Sequence, residues 1–503
     1  MKELDIVDWA RSVADGSHQE IAVDARMIAG LDDAQVTAVT MMLTEPRPVI
    51  TVVGPAGSGK TRMLAASVAA WKSAGVSVFG AAPSASAAQA LQDGTGLNSD
   101  TLHKLVYEHS TKQRRGQRPP GEAWDLPERS VVIIDEAGTV DTRLLCQYGE
   151  IAQVKNWRTI LVGDHRQLGS VDAGGMFAEL VSDPGVATVE LDTLHRFEHT
   201  WEADASLDLR NGEPRVVDAY DYHGRIHGHA DPAAAIQAVA DEAFDGIIEG
   251  RDVLIMASTN KTVDELNAAL THRLVSVGWL DSDDGVEIAG RVFHPGQPVV
   301  TRANDRTLVY GPDGDHWVRN GDRWMFDEGT RHELHLTNLD NGHSHAIPAD
   351  YIAAGNLTVD YASTINRAQG ATVDEAHLLI DDRTDAKQLY VGTTRGRNAN
   401  HIHTAPPAFD PDRHGPADHV REWTPIVAVA ATLERQPDQV SAIARRRELR
   451  ELSNQTHDLE RDNAATDAPT GARASEPGRD RTVAAMRRLQ RLTRRPRTQG
   501  LER

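Results

Sequence analysis

Residues 54–61 read Gly54-Pro55-Ala56-Gly57-Ser58-Gly59-Lys60-Thr61, which completes the pattern G-x-x-x-x-G-K-[ST]. An apolar run at 49–53 precedes them and further apolar residues follow at 63–66, so the order is strand, glycine loop and helix. In that setting, backbone N–H groups surround a phosphate at the positive end of a helix. Lys60 then reaches the β- and γ-phosphates, and the Thr61 hydroxyl ligates Mg²⁺. The sequence therefore predicts a nucleotide site.

A second predicted strand, 131–134, ends in the carboxylates Asp135 and Glu136. Strands of a doubly wound sheet present polar side chains to ligands at their carboxyl ends. We expect Asp135 to hold Mg²⁺ there and Glu136 to take a proton from the attacking water. A third strand, 159–162, leads to Gln167, whose amide can hydrogen-bond the γ-phosphate or that water.

The composition limits the class of protein. At 503 residues, with 40% apolar and 25% charged residues, the chain is typical of a folded protein of two or three domains. A net charge of −21 argues against a surface that coats nucleic acid, but it allows a local groove that grips a few nucleotides. The single cysteine, Cys146, excludes an internal disulfide and a thiolate metal cluster. Without a membrane-length apolar run or a secretory signal, we expect a cytoplasmic protein with no membrane segment.

Short apolar strands alternate with helical stretches in two series, which predicts an α/β fold with parallel sheets. The expected strands lie at 49–53, 76–79, 131–134 and 159–162, then at 253–256, 357–361, 376–380 and 401–403. The amino-acid composition changes between 282 and 348, where Gly, Asp, Trp and Val are frequent and turn-forming residues recur. That stretch predicts a small antiparallel barrel inserted into the second α/β domain.

The polar segments of the chain resemble, in order, the motifs of superfamily 1 helicases. Gly163-Asp164-His165-Arg166-Gln167-Leu168 is similar to the third motif, G-D-x-x-Q-L. The other matching segments are Gln35 upstream of the glycine loop, Ala82-Pro83-Ser84, Thr101-Leu102-His103-Lys104, Leu194-His195-Arg196-Phe197, residues 361–372 (YASTINRAQGAT) and residues 389–397 (LYVGTTRGR). The inserted barrel resembles RecD-like members. The segments 347–351 and 371–374 resemble the helicase half of TraI/TraA-type conjugative relaxases more than they resemble RecD-like members. Because only about thirty residues precede the motifs, we expect their nicking domain to be absent.

The resemblance implies a division of the chain into two RecA-like domains. We expect a lead at 1–30, a first RecA-like domain at 31–190 with an insert at 109–128, a second at 191–281 and 349–405, an SH3-like β-barrel at 282–348, and a C-terminal extension at 406–503 that is largely disordered beyond about 462. The insert takes the place of a strand-separating pin, and Trp124 is its nearest candidate for an aromatic wedge.

The resemblance also implies the site residues and the partner. ATP and Mg²⁺ are the expected cofactors, with Gln35 reading adenine, residues 54–61 and Gly370 contacting the nucleotide, Arg395 as the principal arginine finger and Arg196 as the second. Single-stranded DNA is the expected partner. Its candidate contacts are Pro83, His103, Asn260, Thr364 and Gln369. Movement 5′ to 3′ follows from the same family.

Three histidine pairs, 227/229, 343/345 and 401/403, suggest a metal site at first sight. We expect 401 and 403 on a strand and the other pairs in loops, with no carboxylate spacing that completes a site. The sequence therefore predicts no metal other than Mg²⁺.

Alternatives to a DNA helicase stay open at this level. One is an accessory relaxase fragment that binds DNA, a relaxosome protein or a repair protein through the Arg-rich tail at 441–503. Another is an RNA helicase, since the motifs contact backbone.

Overall fold

A computed structural model describes residues 3–13, 20–111, 121–169, 174–312, 314, 316–407 and 423–435. In the described part of the first half there are seven α-helices and six strands. The helices are α1 (Glu3–Arg11), α2 (Asp33–Thr44), α3 (Lys60–Ser73), α4 (Ala85–Thr95), α5 (Leu102–Val106), α6 (Thr142–Lys155) and α7 (Met176–Ser182). The strands are β1 (Val49–Val53), β2 (Val78–Ala82), β3 (Ser99–Thr101), β4 (Val131–Ile134), β5 (Arg158–Gly163) and β6 (Ala187–Glu190).

These six strands form one parallel sheet in the order β3-β2-β4-β5-β1-β6. Every residue of β1, β4 and β5 is buried, as expected for strands covered by helices on both faces. Helices α2, α3 and α4 pack on one face. Helices α1, α5, α6 and α7 pack on the other, so α1, which the sequence assigned to a lead segment, contributes Ile6 and Ala10 to the core of the first domain.

The second half contains the remaining elements. Its helices are α8 (Thr200–Asn211), α9 (Arg215–Tyr222), α10 (Pro232–Ile248), α11 (Asn260–Ser276), α12 (Ala349–Tyr351), α13 (Ala386–Gly392) and α14 (Pro425–Glu434). Its strands are β7 (Ile226–Gly228), β8 (Val253–Ala257), β9 (Val286–Ile288), β10 (Arg291–Phe293), β11 (Pro298–Thr301), β12 (Asp305–Tyr310), β13 (His316–Val318), β14 (Arg323–Thr330), β15 (Glu333–Asn338), β16 (Ser344–Pro348), β17 (Leu357–Val359), β18 (Ala362–Thr364), β19 (Val373–Ile380) and β20 (Gly396–Thr404).

The second parallel sheet has the order β18-β8-β19-β20-β7. Helices α10 and α11 cover one face. Helices α8, α9, α13 and α14 pack against the other, where Val429 and Leu433 of α14 join the core. The expected α/β class with parallel sheets is confirmed, and part of the C-terminal extension folds against the second domain.

An antiparallel module interrupts the second domain. Its five-stranded sheet runs β16-β15-β14-β11-β17, and two two-stranded ribbons, β9–β10 and β12–β13, flank it around a core that includes Trp324 and Phe326. The expected strand at 357–361 is divided: β17 pairs with β11 of the module, and β18 pairs with β8 of the second domain. Asp360 lies at this division. Its carboxylate accepts hydrogen bonds from Arg323 and from Arg367. The module therefore extends to 359 rather than 348.

Two expected features fall mainly outside the described residues. These are the basic part of the insert, at 112–120, and the tail beyond 435. Among the helices that the structure describes, none has the length and apolar character needed to cross a membrane.

Candidate nucleotide site between the two parallel sheets

The glycine loop connects β1 to α3 in the order that the sequence predicts. Gly57 and Gly59 adopt left-handed backbone conformations, with φ of 83° and 72°. A Cβ at Gly57 would lie 2.5 Å from Cβ of Arg196, and one at Gly59 would lie 2.4 Å from Nε2 of Gln35. Both positions therefore require glycine, because of the backbone conformation and because another segment approaches closely.

Lys60 is folded over its own loop. Its Nζ donates to the carbonyl oxygens of Gly54 and Pro55, at 2.7 and 3.2 Å. These contacts hold the ammonium group at the mouth of the loop, where a phosphate oxygen can replace a carbonyl as its acceptor.

Gln35 and His195 attach neighbouring segments to this loop. Gln35 is buried in the capping box that begins α2, and its Nε2 donates to the carbonyl of Ser58 at 3.0 Å. The ring of His195 lies 2.8 Å from a carboxylate oxygen of Asp32, and its backbone N–H donates to the carbonyl of Gly57. The fourth-motif segment is therefore fixed against the glycine loop.

Asp135 and Glu136 lie at the carboxyl end of β4, as expected. Burial, followed by the adjacent Glu136 carboxylate, raises the pKa of Asp135 to about 6, whereas Lys60 lowers it. Glu136 has a left-handed backbone, with φ of 52°. Two carboxylates this close in a partly buried position favour the binding of a cation.

Gln167 is buried beside Asp164 at the end of β5. Asp164 accepts a hydrogen bond from the Tyr390 hydroxyl at 3.0 Å and pairs with Arg210 at 3.2 Å. Lys387 donates to the carbonyl of His165 at 3.2 Å. The third motif therefore contacts α13 of the second domain directly.

The two expected arginine fingers are placed differently. Arg196 lines the cavity and donates to the carbonyl of Thr394 at 2.5 Å. Arg395 is buried and donates to Val391 O at 2.8 Å and to the Thr394 hydroxyl at 2.9 Å. Burial, and then the nearby Arg395 guanidinium, lower the pKa of Arg196 to about 9. Like charges held together in this way favour an anion between or beside them.

A cavity of about 360 Å³ joins these parts. Residues of both domains line it: Gly57, Ser58, Gly59, Lys60, Thr61, His195, Arg196, Thr372 and Arg397. Sequence reasoning did not single out His195, Thr372 or Arg397, although each lies within a segment that it matched to a motif. Arg395, the expected principal finger, is not among the described residues that line the cavity, whereas Arg397 is.

A second contact crosses between the domains through two residues that do not line this cavity. Nε2 of Gln369 donates to Oε2 of Glu136 at 3.2 Å. The next residue, Gly370, has φ of 89° and open space where a Cβ would stand. A candidate DNA contact therefore touches the expected general base.

The other candidate DNA contacts follow the carboxyl ends of strands. Pro83 and Thr364 are half-buried after β2 and at the end of β18, and His103 and Asn260 are exposed after β3 and β8. No hydrogen bond described for these residues joins one of them to another, so their common role stays a prediction.

Trp124 lies at the base of the insert. Its carbonyl accepts from His109 Nε2 at 2.7 Å, and Lys104 Nζ lies 4.8 Å above its ring. The indole packs against the first core. This side chain is anchored, while the basic cluster at 112–120 lies outside the described residues.

The prediction for the histidine pairs was wrong in part. His227 lies on β7 and His345 on β16, not in loops. Parallel pairing of β7, β20 and β19 brings His227, His401, His403 and His377 onto adjacent strands. Glu242 of α10 and Glu375 of β19 complete a cluster that the sequence spacing did not reveal.

The fold and the cavity have the arrangement expected of a P-loop NTPase, with residues of two parallel-sheet domains lining one candidate nucleotide site. Residues 30–231 match a family model described as an AAA domain. The chain is 31% identical over 372 residues to a probable conjugal transfer protein TraA of Sinorhizobium fredii. The matching region covers 73% of this chain and 32% of that protein. It is 28% identical to the RecBCD enzyme subunit RecD of Mycolicibacterium smegmatis, over 73% of this chain and 70% of that one.

Among solved structures, Pif1 helicase from Candida albicans covers 76% of this chain at 15% identity, with a TM-score of 0.48. The chain is therefore similar to the RecD-like members of superfamily 1 and to the TraA-type conjugal transfer proteins. It spans about a third of the length of the TraA relatives that it matches.

Proposed function

We propose that this chain hydrolyses ATP to move 5′ to 3′ along single-stranded DNA and to unwind duplex DNA in plasmid conjugation or DNA repair. The observation that carries this proposal is the cavity itself, in which Lys60 of the first domain faces Arg196 and Arg397 from segments outside its glycine loop. Two domains that share one triphosphate can open and close as it is hydrolysed, and this movement is what a translocase requires.

The chemistry is assigned to residues of both domains. The loop N–H groups and Lys60 bind the β- and γ-phosphates, Glu136 takes the proton of the attacking water, and Arg196 offsets charge on the γ-phosphate. Arg395 is buried close to Arg196, repels its guanidinium, and is assigned as the other cation of the site, although it does not line the cavity. Gln167, buried at the domain contact, senses the γ-phosphate.

Mg²⁺ fits the residues present. Thr61 lines the cavity, and the pKa of Asp135 is raised by burial and then by the adjacent Glu136 carboxylate, which Lys60 only partly opposes. Thr61 and Asp135 would hold the ion, which would supply positive charge to the phosphates.

Single-stranded DNA is assigned to the carboxyl ends of the two sheets, where Pro83, His103, Asn260, Thr364 and Gln369 are found. Contact of DNA with Gln369 would compete with its hydrogen bond to Glu136. Binding of the strand would thereby release the general base, so that hydrolysis depends on DNA. A relative from Enterobacteria phage T4, the ATP-dependent DNA helicase dda, matches 71% of this chain at 24% identity. This similarity supports DNA as the partner.

We further propose that the antiparallel module closes as an SH3-like barrel beside the DNA path. The Arg-rich tail, which lies outside the described residues, would bind relaxosome or repair proteins. A cytoplasmic location stays a prediction.

A strand-displacement assay tests the proposal. Duplexes with a 5′ or a 3′ single-stranded tail are offered to the full chain with ATP and Mg²⁺. The 5′-tailed duplex should be unwound and the 3′-tailed one should not. Lys60→Ala should abolish unwinding and leave binding of the tailed DNA largely intact, because Lys60 is assigned to the phosphates of ATP and not to DNA. Unwinding by Lys60→Ala, or equal unwinding without ATP, would contradict the proposal.

A further inference from the structure

Three histidines occupy one face of the second sheet where a buried parallel strand normally carries Val, Ile or Leu. His377 of β19 pairs in register with His401 of β20, and His403 lies two residues further along β20. His377 and His403 are fully buried. Glu242 of α10 projects onto this face from the covering helix, and its side chain remains 37% exposed.

We propose that His377 Nδ1, His403 Nε2 and Glu242 Oε2 bind a divalent transition-metal ion of the Zn²⁺ class. The distances between these atoms are 3.1 Å for His377–His403, 3.8 Å for His377–Glu242 and 3.7 Å for His403–Glu242. Tetrahedral zinc with bonds of about 2.0–2.1 Å places its ligand atoms about 3.3–3.4 Å apart. The three atoms therefore need to move by only a few tenths of an ångström to enclose an ion.

The second nitrogen of each histidine lies close to a polar group that can orient the ring once a metal is bound. Nε2 of His377 lies 3.0 Å from Oε1 of Glu375, and Nδ1 of His403 lies 3.2 Å from Nε2 of His229. Metal-bound histidines usually present their other ring nitrogen to such a group, which fixes the ring and its tautomer. If His377 donates to Glu375 and His403 donates to His229, the two remaining nitrogens present lone pairs to each other and to Glu242.

The environment keeps these rings available as ligands. The rings of His377 and His403 are fully buried, and burial disfavours the charged form of an imidazole. A neutral imidazole is the form that binds metal. The partly exposed Glu242 leaves a route for the ion to enter and a fourth position for water.

This cluster is separate from the nucleotide site. None of its residues lines the cavity at Lys60. A bound ion would join β19, β20 and α10, so its first effect is on the stability of the second domain. An adjacent set, His227 with His401, shares Glu242 but is less buried and is the competing assignment.

The test uses the full chain, stripped with a chelator and then titrated with Co²⁺, whose visible d–d absorption reports low coordination number. We expect one strongly bound Co²⁺ per chain, displaced by Zn²⁺. Glu242→Gln, at a partly exposed position that tolerates the change, should weaken binding at least about 10- to 100-fold. The matched control is Glu265→Gln on α11, an exposed glutamate that pairs with Lys261 and should bind as the unchanged chain does.

Thermal melting supplies a readout that does not depend on colour. Zn²⁺ should raise the Tm of the unchanged chain and of Glu265→Gln, but not of Glu242→Gln. If the histidines only form hydrogen bonds with one another and bind no metal, Zn²⁺ should not change the Tm of the unchanged chain, Glu265→Gln or Glu242→Gln. That outcome would overturn the proposal. Loss of binding in His227→Gln together with full binding in His377→Gln would overturn the choice of ligands.

Discussion

The amide of Gln369 donates to the carboxylate of Glu136 across the boundary between the two domains, with 3.2 Å between Nε2 and Oε2. Glu136 follows β4 of the first sheet, and Gln369 follows β18 of the second. The expected base is thus restrained by a residue that the family resemblance assigns to DNA contact.

Gln369→Ala should remove this restraint. We expect ATP hydrolysis without DNA to rise and the ratio of DNA-stimulated to basal hydrolysis to fall, because Glu136 is free in both states. Steady-state ATPase assays with and without a single-stranded oligonucleotide measure this ratio. Gln237→Ala, which removes an exposed amide of α10 that bonds Asp241, is the matched control and should change neither rate. An unaltered ratio in Gln369→Ala would show that the contact does not control Glu136.

Arg196→Ala should remove the cation that faces the γ-phosphate. A correctly placed arginine contributes about 10³- to 10⁵-fold to the rate of phosphoryl transfer, so we expect kcat to fall by at least about 10³-fold. Binding of a fluorescent ATP analogue should change far less, because Lys60 and the loop N–H groups remain. Arg143→Ala, at an exposed position on α6, is the control. Loss of analogue binding with kcat preserved would assign Arg196 to ground-state binding instead.

Gly57→Ala and Gly75→Ala form a matched pair. Both glycines have positive φ, 83° and 74°, so an alanine costs about 1 kcal/mol of backbone energy at either position. Only at Gly57 would the new Cβ collide with Arg196, whereas nothing lies within 4 Å of a Cβ at Gly75. Gly57→Ala should therefore abolish hydrolysis while Gly75→Ala leaves it nearly unchanged. Equal activity in the two variants would contradict the close approach of Arg196 to the loop.

His109 predicts a pH dependence of stability at the base of the insert. Burial lowers its pKa, and the Trp124 carbonyl only partly opposes this. Below about pH 6.5, His109 is therefore protonated in the unfolded chain but stays neutral in the folded one. The free energy of unfolding is highest above that pH and decreases as the pH falls, by at most about 1.4 kcal/mol per pH unit.

Melting temperatures between about pH 5.5 and 7.5 measure this slope. His109→Gln should flatten it, and His103→Gln, at an exposed position on α5, should not. An identical slope in both variants would exclude His109 as its source.

The features that the sequence predicted well are those encoded within one short segment of the chain. The glycine loop, Asp135 and Glu136 each depend on a strand followed within a few residues by its functional group, so the pattern is complete in one short segment. The same holds for β4 of the first parallel sheet and β8 of the second, which are continuous apolar runs.

Long-range register explains what it missed. The histidine cluster exists because β19 pairs with β20 and β20 with β7, and no spacing along the chain encodes Glu242 above them. The module ends at 359 because the two residues that follow, Asp360 and Tyr361, connect strands that belong to different sheets. Arg395 matched its motif, but its burial and its hydrogen bonds to Val391 and Thr394 depend on the packing around α13.

The most direct test of the shared-site account is the rate of ATP hydrolysis by the full chain, measured with and without single-stranded DNA at saturating ATP and Mg²⁺. The account predicts strong stimulation by DNA that disappears in Arg196→Ala and in Lys60→Ala. Hydrolysis that proceeds at the same rate with and without DNA, or that survives in Arg196→Ala, would contradict it.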